Sequence, residues 1–153
     1  MLDDGTTTGT PLFYAAAQNH VHCCALLLDF RSDLLDLVDS LGDTALHVAS
    51  YYGHATVLRL LLESAANPHV QNAKGFTPAH VASTPECLEL LFRFDAVWET
   101  PDLLGRTALF CASAATGREQ CVEFLCATVP GATALVEAAD QPARPPHRTQ
   151  TRA

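Results

Sequence analysis

The densest run of side chains able to do chemistry is His20-Val21-His22-Cys23-Cys24, in a chain of 153 residues with seven histidines and six cysteines. Imidazole and thiolate are zinc ligands, and a thiolate beside a base is a nucleophile. Zinc sites, however, use paired ligands at defined loop spacing, and no second pair matches this run. His20 occupies the place that His54 holds in a later segment, and Cys23 and Cys24 fall where that segment has the core formers Val57 and Leu58. The two cysteines are therefore expected to fill a core. Cys87 and Cys121 lie on apolar faces of helical runs, unlike a nucleophile, which needs an exposed thiol of lowered pKa. Glu86 and Glu89 read as a solvated helix face instead of an acid–base couple, and the glycines stand singly, so no phosphate loop is formed. No catalytic residue, metal or cofactor is expected, and the chain is read as non-enzymatic.

Composition narrows the class. A hydrophobic content of 48% is enough to bury a core. The cysteines are expected to stay reduced, because disulfide frameworks belong to small secreted domains with poor cores. The net charge is −8, and Arg144, Arg148 and Arg152 lie beyond the last acid, Asp140, so the body is more acidic still. An acidic body repels phosphate backbones, which argues against nucleic acid as a ligand. No stretch approaches the roughly 20 apolar residues of a membrane span, and Met1-Leu2-Asp3-Asp4 opens without an apolar run. The expectation is a soluble protein of the cytoplasm or nucleus with no membrane contact and no small-molecule substrate, its residues 1–8 a flexible segment.

A recurring phrase organises the rest. Gly9-Thr10-Pro11-Leu12-Phe13-Tyr14-Ala15-Ala16 is followed by Gly42-Asp43-Thr44-Ala45-Leu46-His47-Val48-Ala49, Gly75-Phe76-Thr77-Pro78-Ala79-His80-Val81-Ala82 and Gly105-Arg106-Thr107-Ala108-Leu109-Phe110-Cys111-Ala112. The threonines at 10, 44, 77 and 107 are separated by 34, 33 and 30 residues, a period that signals stacked supersecondary units. In the second unit Asp39-Ser40-Leu41-Gly42 has turn chemistry, and Thr44 is placed to cap a helix over 45–52. Gly53-His54 then breaks the chain before a second helix over 56–63. Two such short helices cannot shield their apolar faces alone, so each unit must stack on the next.

These residues resemble the ankyrin repeat: a turn glycine, a Thr-Pro-Leu-His phrase, Ala-Ala, Gly-His and a Val-Leu-Leu run, met most closely by Gly42 to Leu62. The resemblance implies an all-α solenoid of about four helix-turn-helix repeats with projecting turns, over residues 9–140. The repeats would fall at about 9–38, 39–71, 72–101 and 102–139. It also implies that His47 and His80 hydrogen-bond to neighbouring repeats, whereas Phe13 and Phe110 stand in that place elsewhere and leave their junctions to packing. In the third unit Ser83-Thr84-Pro85-Glu86-Cys87 lacks three residues and the Gly-His break, with Thr84 and Pro85 still able to start the second helix. Val136 to Asp140 resembles the lead-in to a fifth repeat, but a Pro- and Arg-rich tail over 141–153 follows. Two readings of that tail stay open: a disordered natural end, or a shortened form of a longer repeat protein.

By the same resemblance a partner protein would dock in the concave groove made by the turns and the first helices. The positions are Ser40, Leu41 and Asp43; Ala73, Lys74 and Phe76; Leu103, Leu104 and Arg106; and Tyr51 and Tyr52. Turns are ordinarily polar, so Leu41, Phe76, Leu103 and Leu104 stand out, although Leu103 and Leu104 could instead fold back between adjacent turns. The function expected is a scaffold or adaptor that binds a protein partner. The alternative is the regulatory or targeting part of a larger enzyme or channel.

Overall fold

The computed structural model describes residues 9–128. The expectations placed on residues 1–8, on the end of the last unit and its fifth-repeat lead-in, and on the 141–153 tail lie outside the described residues. Within them, eight α-helices run in antiparallel pairs and there is no strand. They are α1 (Pro11–Ala17), α2 (Val21–Phe30), α3 (Ala45–Tyr52), α4 (Ala55–Glu63), α5 (Pro78–Val81), α6 (Pro85–Arg93), α7 (Ala108–Ala114) and α8 (Glu119–Thr128). The odd-numbered helices pack side by side in one layer and the even-numbered ones in a second, so the pairs stack in chain order.

Each first helix begins where a threonine ends extended backbone. Thr10, Thr44 and Thr107 accept the amide of the residue three further on, filling a donor that the helix start leaves open. Thr84 does the same for α6, with Pro85 in the first turn where a missing N–H costs nothing. The shortened third unit is accommodated by cutting α5 to four residues, with only Ala82, Ser83 and Thr84 between it and α6. Small residues let the first helices approach one another: Ala16, Ala49, Ser50, Ala82 and Ala112 are all buried. Larger ones from the second helices fill the space between the layers, among them Leu58, Leu61, Leu88, Leu91 and Leu125.

The second helices end in two ways. After α4 and α6 the chain takes the left-handed conformation at Ala65 (φ 72°) and Asp95 (φ 61°). The next amides, of Ala66 and Ala96, reach back to the Leu61 and Leu91 carbonyls at 3.0 Å, closing the helix end. After α2 the chain instead extends at Arg31 (φ −148°) into a single 3-10 turn, Ser32–Asp36. Phe30 is left 85% exposed at that point.

Candidate protein-binding groove

Three loop tips project from the stack ahead of α3, α5 and α7, and one side chain folds each of them. Asp39 Oδ1 accepts the amides of Leu41 and Asp43 at 2.8 and 2.9 Å. Asn72 Oδ1 accepts those of Lys74 and Phe76, both at 2.9 Å. Asp102 Oδ1 accepts those of Leu104 and Arg106 at 2.9 and 2.8 Å. Backbone bonds close the same loops, with the Asp39, Asn72 and Asp102 amides donating to the Asp43, Phe76 and Arg106 carbonyls. These three organising residues were not among the expected site residues. Their signal is nonetheless in the sequence, for each lies three positions before a turn glycine, Gly42, Gly75 or Gly105.

The tips are also tied to one another. The Ala73 amide donates to the Leu41 carbonyl at 2.9 Å and the Leu103 amide to the Lys74 carbonyl at 3.2 Å. Asn72 Nδ2 donates to Asp43 Oδ1 at 2.7 Å, and Gln71 Nε2 donates to the Gly75 and Pro101 carbonyls. Gly75 is required here twice over. Its φ is +79°, and a Cβ would lie 2.6 Å from the Leu103 amide nitrogen of the next tip.

His47 and His80 each link a first helix to the next tip. The Phe76 carbonyl can only accept, so His47 Nε2 carries the proton and donates to it at 2.8 Å. Nδ1 is then the acceptor, taking the Thr44 amide at 3.2 Å and facing the Thr44 hydroxyl at 3.0 Å. His80 repeats the arrangement with the Arg106 carbonyl at 3.0 Å and the Thr77 amide at 3.1 Å. Both rings therefore work as neutral imidazoles. Burial is the largest influence on each and holds it below the ordinary histidine value, outweighing the acceptor carbonyls and the carboxylates of Asp43 and Asp39, or of Asp102.

The junction ahead of the second unit is not left to packing alone. His54 Nε2 lies 3.0 Å from the Ala17 carbonyl and ties α4 back to the end of α1. At the equivalent turns of the next units, the Ser83 amide donates to the Ser50 carbonyl at 3.1 Å and Arg118 Nη1 to the His80 carbonyl at 3.4 Å. α3 and α5 are thus tied to neighbouring units at both ends, and α1 at its C-terminal end.

On this frame the expected binding positions divide. Ser40, Leu41, Ala73, Lys74, Leu103 and Leu104 are exposed at the tips; Leu103 and Leu104 are 74% and 75% open and do not fold back between turns. Tyr51 and Tyr52 both point outward at the end of α3, 54% and 56% exposed, and pack edge to face with centroids 5.1 Å apart. Tyr52 also stacks on His54. Asp43, Phe76 and Arg106 are half-buried and engaged in the frame. Phe76 stacks on His80, and the Arg106 guanidinium carbon lies 5.5 Å from its ring centroid. Arg106 also grips Asp102 at 2.7 to 2.8 Å. Burial alone would raise the Asp102 carboxyl, but the Arg106 side chain and the Arg106 and Leu104 amides outweigh it and hold it below the usual carboxylate value.

The cysteines need one correction. All six are free, and Cys24, Cys87 and Cys121 are buried, while Cys111 and Cys126 are half-buried. Burial pushes the Cys24 thiol up to about 11, and the same cause raises Cys87, Cys111 and Cys121. Cys23, expected in the core by its match to Val57, is exposed. No second helix of a preceding unit lies against its face among the described residues, whereas α4, which carries the buried Val57, packs between α2 and α6. Glu86 and Glu89 are exposed. Among the described residues no three His, Cys, Asp or Glu side chains are grouped to hold a metal ion, and no helix is long and apolar enough to cross a membrane.

A stack of helix pairs with hydrogen-bonded tips on one side defines a helical repeat solenoid. Residues 2–72 match the family described as "Ankyrin repeats (3 copies)", and this chain belongs to the ankyrin-repeat proteins. It is 36% identical to Inversin of Mus musculus over 105 residues, covering 65% of this chain and 10% of Inversin. It is 33% identical to Ankyrin repeat protein nuc-2 of Neurospora crassa over 124 residues, covering 78% of this chain and 11% of that protein. To the Putative E3 ubiquitin-protein ligase XBAT31 of Arabidopsis thaliana it is 32% identical over 98 residues, covering 54% and 21%. The chain spans about a tenth to a fifth of the length of these relatives. Ankyrin repeats are protein-interaction modules in general, and that coarse role extends to this chain.

Proposed function

We propose that the chain is a non-catalytic scaffold or adaptor that binds an extended segment of a partner protein across its tips and first helices. The observation that carries this is the set of open apolar side chains: Leu41, Leu103 and Leu104 on tips whose backbones hydrogen-bond to one another, and Tyr51 and Tyr52 at the end of α3. A rigid frame lowers the ordering cost of binding, and outward aromatic side chains are what binding hot spots are built from. The net charge of −8 favours a partner segment that flanks its apolar anchors with Lys or Arg. Free cysteines suit a reducing compartment, the cytoplasm or the nucleus.

A displayed peptide library selected on the chain tests this. The peptides recovered should carry apolar anchors with basic flanks. Tyr52→Ala and Leu104→Ala should each weaken them by about tenfold or more with the melting temperature unchanged. Selected peptides that bind both variants as tightly as the parent chain would place the site elsewhere. The length of the relatives favours a second reading, in which such a stack is the regulatory or targeting part of a larger enzyme or channel. In that reading the groove binds a segment of the same assembly.

A further inference from the structure

One apolar surface lies away from the groove and plays no part in it. On α2, Cys23, Leu26, Leu27 and Phe30 follow the i, i+3, i+4, i+7 spacing that aligns side chains on one helix face. On α6 the same residue types recur at the same spacing as Cys87, Leu90, Leu91 and Phe94. There Cys87, Leu90 and Leu91 are buried and Phe94 is half-buried, because α4 lies alongside. On α2, Cys23, Leu26 and Phe30 are exposed and Leu27 is half-buried. An open groove of about 420 Å³ runs beside Cys23, Leu26 and Leu27, lined also by Pro11, Tyr14 and Ala15 of α1 and by Gln18 and His20. This face continues, one step further, the stacking interface that α4, α6 and α8 already use.

We propose that this face packs against the same face of a second copy of the chain, forming a two-fold dimer through antiparallel α2 helices. The pattern is self-complementary in size. An axis between Leu26 and Leu27 sets Leu26 against Leu27 of the second copy and the small Cys23 against its large Phe30. It is complementary in charge as well. Antiparallel pairing about such an axis brings like flanks of the two helices together. His22 and Asp29 share one flank and are both exposed. His22 of one copy then lies within side-chain reach of Asp29 of the other, offset by about 3 Å along the axis. An isologous contact of this kind closes at two copies and leaves the tips and first helices of both free for a partner.

Sedimentation equilibrium on the full chain over about three decades of concentration is the test, with Phe30→Asp as the disrupting variant. Phe30 is almost fully exposed, so this change leaves the fold intact and circular dichroism should be unaltered. The parent chain should show a monomer–dimer equilibrium that Phe30→Asp weakens by at least about tenfold. In a Cys23→Ser background, Leu26→Cys, nearest the axis, should form a disulfide-linked dimer on oxidation, while Thr56→Cys on α4 should not. A parent chain that stays monomeric throughout, a dimer that Phe30→Asp leaves intact, or open-ended polymers in place of dimers would overturn the proposal.

Discussion

The faces of α2 and α6 carry Cys, Leu, Leu and Phe at identical spacing, yet one is open and the other is core. Residue type cannot explain the difference. What differs is the neighbour: α6 lies against α4, and α2 has no helix on that side among the described residues. In a solenoid each unit touches only its neighbours, so a side chain's burial is decided by its unit's place in the stack. The stabilising interactions follow the same rule, since His47, His80 and His54 all spend their Nε2 atoms on an adjoining unit.

The comparison is broken most forcefully in the interior. Leu91→Ala should destabilise the chain by about 2–5 kcal/mol, the range for a leucine truncated in a packed core, and Leu26→Ala by less than about 0.5 kcal/mol. Urea unfolding of both variants measures the gap, and equal costs would mean that α2 is as enclosed as α6.

At the tips, Gly75→Ala adds backbone strain to a collision with the Leu103 amide, whereas Gly105, also at positive φ, has nothing within 4 Å of an added Cβ. A cost of about 1–3 kcal/mol is expected at Gly75, with the smaller part of that range at Gly105. Reversal of that order would show that the tips are not stacked as described.

Acid should separate the junctions more gently. Burial lowers the His47 and His80 imidazoles below the ordinary value of 6.5, so as pH falls the unfolded chain takes up protons first. Stability is full above about pH 6.5 and drops below it until the folded-state imidazoles protonate in turn. A His47→Gln/His80→Gln double variant should be less stable at neutral pH and should show a flatter profile from pH 7 to 5. An unchanged slope would remove the histidines from the account.

Much of this was legible from local pattern. The recurring Gly and Thr mark the tips and the caps, and the helix expected over 45–52 is α3 as found. The second helix of that unit starts at Ala55, one residue earlier than its threonine suggested. Less legible was anything set about 30 residues away. Cys23 and Val57 sit in similar local sequence, and Cys23 is open where no helix precedes its unit among the described residues. His54 reads locally as a helix breaker, yet its ring spans 37 positions to Ala17. Asp39, Asn72 and Asp102 look like ordinary turn formers until their oxygens are seen to hold two amides each.

The most direct measurement uses adjacent thiols as its own control. In dilute native protein, mass spectrometry after a short pulse of iodoacetamide should find Cys23 alkylated, with Cys24 and Cys87 protected until the chain is unfolded, since Cys24 and Cys87 are fully buried and their thiols raised by that burial. Labelling of Cys87 as fast as that of Cys23 would contradict the claim that place in the stack, and not residue pattern, decides which face is core.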